Sequence, residues 1–379
     1  MRLQLIAAAA VVTSTAYADG ELSMRGVYYK ERSTRVIQPM LDGIFDAGPS
    51  GTVTGHLLVD AITSASASSG AAAAEPFTEN RYEGGLGYTH EFAGPEESIL
   101  DVFRLGADGK YSREPDYRSF YIGGRAEAEL AQKNATVALG VGLSKDTINN
   151  EGAQTPMGGP KLLCDNTQAV ADQTECPLDT ISMFTSASHL LSKDALIGVS
   201  YDIAKIDGYT SNPYRTVITT GGPVAEKHPN ERLRQAFAIS GRYYITDSKT
   251  TLIAAYRYYW DSWDIHAHTP EVRAIQEVGS TIEAGVRYRY YKQDAAFFWA
   301  KRYPDPATTM IDYLTDDPKM SPFDGHLIEA KLALYGETFG FEGRWAGARF
   351  EGILEYIVQN NRFGNAVVAH AALTLPFEY

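Results

Sequence analysis

Apolar and polar side chains alternate with a period of two along almost the whole chain, and hardly any stretch has the periodicity of a helix. In residues 281–291, one face of the alternation carries Ile282, Ala284, Val286, Tyr288 and Tyr290. The other face carries Glu283, Gly285, Arg287, Arg289 and Tyr291. Residues 119–130, 232–245, 250–260 and 349–358 repeat this pattern. An alternation of this kind predicts strands with two chemically different faces.

The alternation predicts sixteen strands, with fourteen as the smaller alternative. Their predicted positions are 22–31, 34–45, 52–62, 79–92, 97–106, 117–131, 134–144, 179–191, 194–205, 232–245, 249–261, 266–278, 280–292, 323–336, 346–359 and 365–379. An even number of strands lets an antiparallel sheet close by pairing the last strand with the first. The predicted fold class is therefore all-β.

The connections between the predicted strands alternate in length. The short ones lie near 47–51, 93–97, 132–134, 192–194, 246–249 and 278–280, with a somewhat longer one at 337–345. The long ones lie at 63–78, 107–116, 145–178, 206–231 and 293–322. Short turns at one rim and long loops at the other are typical of outer-membrane barrels. We therefore predict a transmembrane antiparallel up-and-down β-barrel as the single domain of residues 19–379, with periplasmic turns and extracellular loops.

Residues 1–18 have the pattern of a secretory signal peptide. Arg2 precedes an apolar run, and a small-x-small cleavage sequence precedes Asp19. A transmembrane anchor is the alternative, but about 10 apolar residues are too few for a membrane core that needs about 20. Export and barrel pattern together predict the outer membrane of a Gram-negative bacterium, where the chain would contact lipid and lipopolysaccharide.

The composition argues against several classes of function. The formal net charge of -13 argues against a nucleic-acid partner. The chain has two cysteines, Cys164 and Cys176, and a local pair in an exported chain predicts one disulfide. A zinc site would need four ligands, and no histidine lies close to these cysteines. We expect neither a metal site nor a cofactor.

The last residues, VVAHAALTLPFEY, read as a strand that ends on an aromatic side chain. Every second residue from Val367 to Tyr379 is apolar, which predicts a lipid-facing side, whereas His370 and Thr374 are expected to face inward. We interpret this segment as the closing strand of the barrel, which pairs with the first strand. Phe377 and Tyr379 resemble the C-terminal signal that outer-membrane barrels present to the barrel assembly machinery.

Charged side chains on the predicted strands are expected to face the lumen, because a charge facing lipid costs about 2–4 kcal/mol at the bilayer midplane. The candidate pore-lining residues are Arg232, Arg234, Arg242, Arg257, Arg287, Arg289, Glu127, Glu129, Glu329, Glu351 and Glu355. One interpretation is a basic wall that faces acidic groups across a water-filled pore. The alternative is a set of hydrated ion pairs that only hold the barrel wall together.

The function that this pattern favours is a passive porin-like channel for small polar solutes or ions, since sixteen strands are wide enough for an aqueous lumen. Segments 145–178 and 206–231 are the candidates for a loop that folds inward and constricts it, and YRTVITT within the second could form a short hairpin. The alternative function is a non-conducting surface barrel whose outer loops bind a partner or ligand. The oligomeric state is left open.

Catalysis is a third and weaker alternative. The outer turn DSWDIHAHT contains Asp261, Asp264, His266 and His268, which suit an acid–base pair or a metal site. A polar rim turn explains the same residues, and the chain has no GxSxG nucleophile motif. We therefore expect no catalytic residues and no enzymatic activity.

Five stretches of the chain resemble a known bacterial family. They are YYKERSTRVIQP (28–39), LLVDAITSASAS (57–68), REPDYRSFYIGGR (113–125), GYTSNPYR (208–215) and YRYYWDSWDIHAHT (256–269). Together they are similar to domain-of-unknown-function family 3570, over nearly the whole chain that follows the signal peptide. The resemblance implies an outer-membrane β-barrel and no established activity, so it assigns no functional residue.

Overall fold

The computed structural model describes residues 20–32, 34–64, 77–149, 161–162, 164, 169–170, 175–213 and 215–377. Sixteen antiparallel strands, each paired with its neighbours in chain order, form a closed barrel. The predicted all-β up-and-down barrel of sixteen strands is therefore confirmed. The predicted signal peptide at 1–18 and the terminal Tyr379 lie outside the described residues.

The barrel strands lie close to their predicted positions. They are β1 (Gly20–Lys30), β2 (Thr34–Asp46), β3 (Gly51–Ser64), β4 (Phe77–Ala93), β5 (Leu100–Arg113), β6 (Tyr117–Leu130), β7 (Ala135–Asn149), β10 (Glu175–Ser192), β11 (Ala195–Gly208), β14 (Glu231–Ile245), β15 (Thr250–Asp261), β16 (His266–Val278), β17 (Ile282–Gln293), β18 (Phe323–Tyr335), β19 (Arg349–Gln359) and β20 (Ala366–Phe377). Two short pairs stand outside the barrel: β8 (Lys161–Leu162) with β9 (Ala169–Val170), and β12 (Thr216–Thr219) with β13 (Gly222–Ala225).

The connections segregate into two rims. The turn rim comprises 47–50, 94–99, 131–134, 193–194, 246–249, 279–281 and 336–348. Its last connection contains the 3₁₀ helices Gly336–Phe339 and Gly343–Gly347. The loop rim comprises 31–33, 65–76, 114–116, 150–174, 209–230, 262–265, 294–322 and 360–365. The longest described connections, 209–230 and 294–322, lie at the loop rim, but 31–33, 114–116 and 262–265 at the same rim are as short as the turns, so the length of a single connection does not give the direction of a strand.

The predicted long loop at 107–116 is wrong. Strand β5 continues through Arg113, and the connection to β6 is only 114–116. Asp108 and Lys110 pair across to Gly123 and Tyr121 of β6, on the face that also carries Arg104. A strand whose polar face meets the lumen has the composition of a loop, and this led the sequence interpretation to end the strand too early.

Strand β20 closes the sheet on β1, with a continuous register from Gly20 opposite Phe377 to Lys30 opposite Val367. The Thr374 hydroxyl lies 3.1 Å from that of Ser23 on the inward face, as predicted. The pairing satisfies the backbone groups that the two end strands would otherwise expose. The closing-strand prediction for the C-terminal segment is confirmed over the described residues.

Large apolar side chains cover the outer face, where Leu86 is 72% exposed and Ile181 is 61% exposed. Aromatic rings gather near both rims. Phe45 and Phe377 lie 5.4 Å apart at the turn rim, and the Tyr258 ring lies 5.0 Å from that of His268 towards the loop rim. Two such belts flanking an apolar band are typical of membrane barrels. None of the described residues belongs to a helix that is long and apolar enough to span a membrane.

The buried apolar clusters of the described residues all lie at the loop rim. One is built around Trp263 and Phe298, a second around Val217 and Tyr303, and a third around Cys176. Every one of these clusters includes residues from the loop-rim connections or from adjoining strand ends. The middle of the barrel therefore has no packed apolar core among the residues that the structure describes.

Candidate functional site: the lumen wall and the loop unit

The predicted pore-lining residues share one face of the barrel wall. On β16 to β19, this face alternates with side chains that are apolar and exposed, such as Val272, Val286, Ile328 and Leu354, and it is therefore the lumen face. The structure places on the lumen face Arg232, Arg234, Arg242, Arg257, Arg287, Arg289, Glu127, Glu129, Glu329, Glu351 and Glu355. Their role in a conducting pore stays a prediction.

Arg287 is the centre of an ion-pair ladder on β16 to β19. Its guanidinium nitrogens lie 2.5 Å from a Glu355 oxygen and 3.8 Å from a Glu271 oxygen, and they also pair with Glu329. Three carboxylates therefore surround one arginine. The positive charge of Arg287 is neutralised within the wall.

A second ladder lies nearer the turn rim on β17 to β19. Lys331 Nζ is 3.0 Å from Glu283 and 3.2 Å from Glu351, and Arg349 Nη2 is 2.7 Å from the same Glu351 carboxylate. These residues are 19–32% exposed at their side chains, so the pairs are only partly shielded from water. Such pairs join neighbouring strands laterally.

The opposite part of the wall repeats this arrangement around Arg104 of β5. Its guanidinium lies 2.8 Å from Glu91, 2.9 Å from Glu127 and 2.7 Å from Glu129, and Arg125 also pairs with Glu127. The two predicted acidic residues of β6 are thus engaged by arginines beside them.

Of the two interpretations of the lumen charges, the ion pairs of Arg287 fit the one in which paired charges hold the barrel wall together. Its carboxylate partners come from the same side of the barrel, on β16, β18 and β19. Neighbouring strands lie about 5 Å apart, so opposite charges at paired positions meet on one wall before they can act across a wide lumen. The charges that pair in this way link neighbouring strands and stabilise the barrel wall.

Strands β7, β10 and β11 carry several small side chains on the lumen face. Gly140, Gly142, Ser182, Ser186 and Ser200 lie on their inward face. The aromatic Phe184 of β10 and the acidic Asp202 of β11 lie opposite each other on the same face. This part of the lumen wall therefore has fewer charged side chains than the walls that carry the ladders.

Some lumen-facing side chains are accessible to solvent. The side chain of Arg125 is 61% exposed although it points into the barrel. Near the turn rim, a cavity opens on the same face and is lined by Ser23, Asp42, Arg349 and Thr374. Polar lining and solvent access together describe a hydrated interior.

Two loop-rim connections, 209–230 and 294–322, fold together into one body that we call the loop unit. The predicted hairpin within YRTVITT is confirmed as β12 and β13, and a bridge joins its Thr219 to Tyr303 of the other connection. A second bridge joins Lys227 to Leu314. Which segment constricts the lumen stays a prediction, and residues 150–160 lie outside the described residues.

A fully buried carboxylate, Glu226, lies at the centre of the loop unit. Its oxygens lie 3.5 Å from Arg215 Nε and 3.2 Å from His228 Nε2, and Thr315 Oγ1 donates to it at 2.5 Å. The backbone N–H of Asn212 also donates to this carboxylate at 3.0 Å. A buried charge held by several donors fixes the relative positions of both connections.

Two ionisable side chains of the loop unit have pKa values that differ from their usual values. Burial alone would raise the pKa of Asp317, but the positive charges of Arg215 and Lys319 outweigh burial, so this pKa lies below its usual value. Burial and the nearby Glu226 carboxylate raise the pKa of Tyr209 to about 12. Asp317 is therefore charged and Tyr209 is neutral at pH 7.

The loop unit is anchored on the β14 to β20 side of the rim. Trp263 of the β15–β16 turn donates from Nε1 to the carbonyl of Glu231 and packs edge-on against Phe298, with ring centroids 5.1 Å apart. At the β19–β20 turn, Arg362 lies 3.0 Å from Asp316. These contacts tie the loop unit to two separate turns.

Of the residues considered for catalysis, Asp261 does not converge with His266 and His268, and Asp264 meets His266 through its backbone carbonyl, 3.2 Å from Nδ1. Asp261 points inward and accepts hydrogen bonds from Arg232 and from the turn backbone, whereas His266 and His268 lie on the outer face beside Tyr258. Acid and imidazole groups on opposite faces of one wall cannot form a proton-transfer pair. The expected lack of enzymatic activity stays a prediction.

The predicted disulfide between Cys164 and Cys176 is confirmed. Cys176, at the loop-rim end of β10, is fully buried against Ile148 and Tyr209. The bridge therefore ties the β7–β10 connection to the wall beside the loop unit.

Sequence reasoning missed a group of three acidic side chains at the loop rim. Oxygens of Glu79, Glu114 and Asp116 all lie within 4.8 Å of one another. Strands β4 and β5 bring these residues together only after pairing, so no local motif could have indicated the group. Like charges at this spacing repel each other, and acidic groups at exposed rims are common without a bound ion.

Comparisons with known proteins agree with this architecture. A family model described as "Protein of unknown function (DUF3570)" matches residues 77–334. A solved bacterial polysaccharide outer membrane secretin is similar over 96% of this chain and 100% of its own, with a TM-score of 0.52 at 7% identity. At that identity, the likeness shows the fold alone.

Other solved barrels are more distant. The outer membrane protein OprD from Pseudomonas aeruginosa covers 96% of each chain at 10% identity, with a TM-score of 0.44. The CymD monoaromatic hydrocarbon channel covers 96% of this chain and 89% of its own at 8% identity, also with a TM-score of 0.44. No curated protein matches the chain.

Proposed function

We propose that this chain, which belongs to the family described as "Protein of unknown function (DUF3570)", is a passive porin-like channel for small polar solutes or ions in a Gram-negative outer membrane. A closed barrel of sixteen strands is wide enough to enclose an aqueous channel. Its apolar outer band and aromatic belts suit a bilayer, and its two rims suit the two sides of an outer membrane.

The hydrated lumen is the observation that carries this proposal. A barrel that serves only as a rigid support can fill its interior with packed side chains, whereas here the buried apolar clusters of the described residues lie at the loop rim. Arg125 stays 61% exposed inside the barrel. Water that surrounds such a side chain can also carry small solutes.

Conductance tests the proposal directly. Purified protein, folded in detergent, is added to planar bilayers in KCl, and discrete ohmic current steps are expected at each insertion. The matched control is the same preparation after heat denaturation, which should give none. Stable insertion without current steps, shown by protection of the barrel from protease in liposomes, would contradict the channel function.

The compact loop unit favours a second candidate function, in which a non-conducting surface barrel presents ordered loops to a partner or ligand. The buried Glu226 network gives these loops a fixed shape, which a binding surface requires. Deleting residues 216–225 separates the two functions. A channel should still conduct after this deletion, whereas a surface receptor should lose its partner.

A further inference from the structure

Four lumen-facing arginines have no carboxylate oxygen within 4.0 Å among the residues that the structure describes. They lie on β14, β15 and β17: Arg234, Arg242, Arg257 and Arg289. The arginines and lysines of the ladders described above are all neutralised by neighbouring carboxylates. Arginines without a directly paired carboxylate are therefore concentrated on one side of the lumen, where Asp202 on the inward face of β11 is the acid whose charge acts on Arg257.

Two of these arginines flank a single tyrosine ring. The guanidinium carbons of Arg234 and Arg257 lie 5.8 Å and 5.7 Å from the centroid of Tyr259. Arg234 Nε also donates to the Tyr259 hydroxyl at 3.2 Å. The ring holds both cations in place and contributes no negative charge to cancel theirs.

The nearest acid on the paired strand cannot neutralise Arg234. Asp261 lies directly opposite in the register, but its oxygens accept from Arg232 at 2.5 Å and from the Tyr259 hydroxyl at 2.6 Å. They also accept from the backbone N–H groups of the β15–β16 turn, at 2.9 Å and 3.1 Å. Asp261 is thus fully engaged by other donors.

Arg289 lacks a partner for a similar reason. Its cross-strand neighbour is Glu271, whose oxygens lie 3.1 Å from Arg273 and 3.8 Å from Arg287. The two other nearby glutamates, on β18 and β19, pair with Arg287. The ladder thus takes up the local carboxylates and leaves Arg289 uncompensated.

We propose that Arg234, Arg257 and Arg289, which we call the arginine trio, form an anion subsite in the loop-rim half of the lumen. The subsite would take small solutes that carry carboxylate or phosphate groups, because the planar guanidinium group donates to both with matching geometry. The inference rests on the proposed channel function and names its preferred solutes.

The position of the trio suits this role. Arg232, next but one to Arg234, stacks on Trp263 at 4.1 Å, and Trp263 anchors the loop unit through Phe298. A solute that enters past the loop unit therefore reaches the trio before the neutralised ladders. Positive charge on a low-dielectric wall concentrates anions locally.

We expect the arginine trio, and not the arginines of the ladders, to determine ion selectivity. Arg287 is embedded among three carboxylates, so its replacement would unbalance the wall without removing a free anion-binding charge. The same reasoning applies to Arg349, which pairs with Glu351. Selectivity should follow the uncompensated arginines.

Measurements of ion selectivity and of current block by anions test the inference. In planar bilayers under a KCl gradient, Arg257→Gln and the triple glutamine variant of the trio should shift the reversal potential towards cation selectivity. Citrate and inorganic phosphate should block wild-type current, and the concentration for half-block should rise about tenfold in Arg257→Gln, since one charge-assisted hydrogen bond is lost.

Two variants control for charge and for position. Arg257→Lys keeps the charge and should retain most of the selectivity. Arg242→Gln removes an equally unpaired arginine from the same strand as Arg234, but nearer the turn rim, and should leave citrate and phosphate block unchanged. The two blockers distinguish a carboxylate site from a phosphate site.

The outcomes separate the inference from the channel function. If the wild type conducts but the triple variant keeps its selectivity and block, the anion subsite is refuted and the channel stands. If the wild type does not conduct, the channel function fails, and calorimetric titration of folded protein in detergent with citrate and phosphate decides the subsite. Binding that the triple variant loses supports the subsite, and no wild-type binding refutes it.

Discussion

Glu226 shows how one side chain can organise a large part of a loop surface. It is 1% exposed, and its partners come from both connections of the loop unit, with Thr315 lying 89 residues away in sequence. A buried carboxylate is stable only while such donors surround it. The residue therefore couples the folding of one connection to that of the other.

Replacing Glu226 tests this coupling. Glu226→Gln leaves Arg215 and His228 beside a neutral amide, and breaking a buried ion pair costs about 3–5 kcal/mol. We expect the loop unit to open locally while the barrel stays folded, seen as faster tryptic cleavage after Lys227 and Lys319 in purified protein. The matched control Asp312→Asn, at an exposed position of the same unit, should not accelerate cleavage. Equal cleavage rates in the two variants would refute the organising role of Glu226.

At the scale of an element, β20 is the strand on which closure depends. It pairs along its whole length with β1, and Phe377 packs against Phe45 of β2 at the turn rim. Without β20, both β1 and β19 would expose unpaired edges inside a bilayer, where each unsatisfied backbone group costs several kcal/mol. The aromatic end of this strand is also the predicted signal for the assembly machinery.

Removing the last three residues tests this role. Deletion of Phe377 to Tyr379 should prevent assembly, because it removes the predicted assembly signal and the aromatic contact that ends the closing strand. Cell fractionation should show the truncated chain lost from the outer membrane. Phe341→Ala, which removes an exposed turn-rim ring away from the seam, should assemble normally. A truncated chain that inserts like the wild type would contradict the closing-strand role.

For the whole molecule, the separation of the rims predicts an orientation in the membrane. The long connections and the loop unit share one rim, whereas the other rim has mostly tight turns. In outer-membrane barrels the long loops face outward and the turns face the periplasm. The arginine trio then lies on the outer side of the lumen, where entering solutes arrive first.

Surface labelling measures this orientation. Thr309→Cys places a thiol at an exposed loop-rim position, and Asp247→Cys places one at an exposed turn-rim position. The two native cysteines are joined in a disulfide and add no thiol. In intact cells, a membrane-impermeant maleimide should label Thr309→Cys and not Asp247→Cys. Labelling of Asp247→Cys and not of Thr309→Cys would show that the turn rim faces outward. Labelling of both variants only after lysis would show that neither rim is exposed at the cell surface.

The sequence by itself determined the barrel: the number of strands, their order, its closure and the separation of its rims. Period-two alternation reports the pleat of each strand directly, because successive side chains point to opposite faces. The longest connections, 209–230 and 294–322, mark the loop rim, although several other loop-rim connections are as short as the turns. The one long loop that was wrongly predicted, 107–116, failed because a lumen-facing strand and a loop have similar polarity.

Only the tertiary structure decided which charges remain free. The sequence assigned Arg287 and Arg257 to the same face, but it could not show that Arg287 pairs with Glu355, 68 residues away, while Arg257 has no carboxylate oxygen within 4.0 Å among the described residues. Neutralisation depends on register and side-chain geometry across several strands, and Coulomb energy falls with distance. The local alternation of side chains therefore specifies the strands of the barrel wall. Ion pairs between residues distant in sequence determine which of its charges are neutralised.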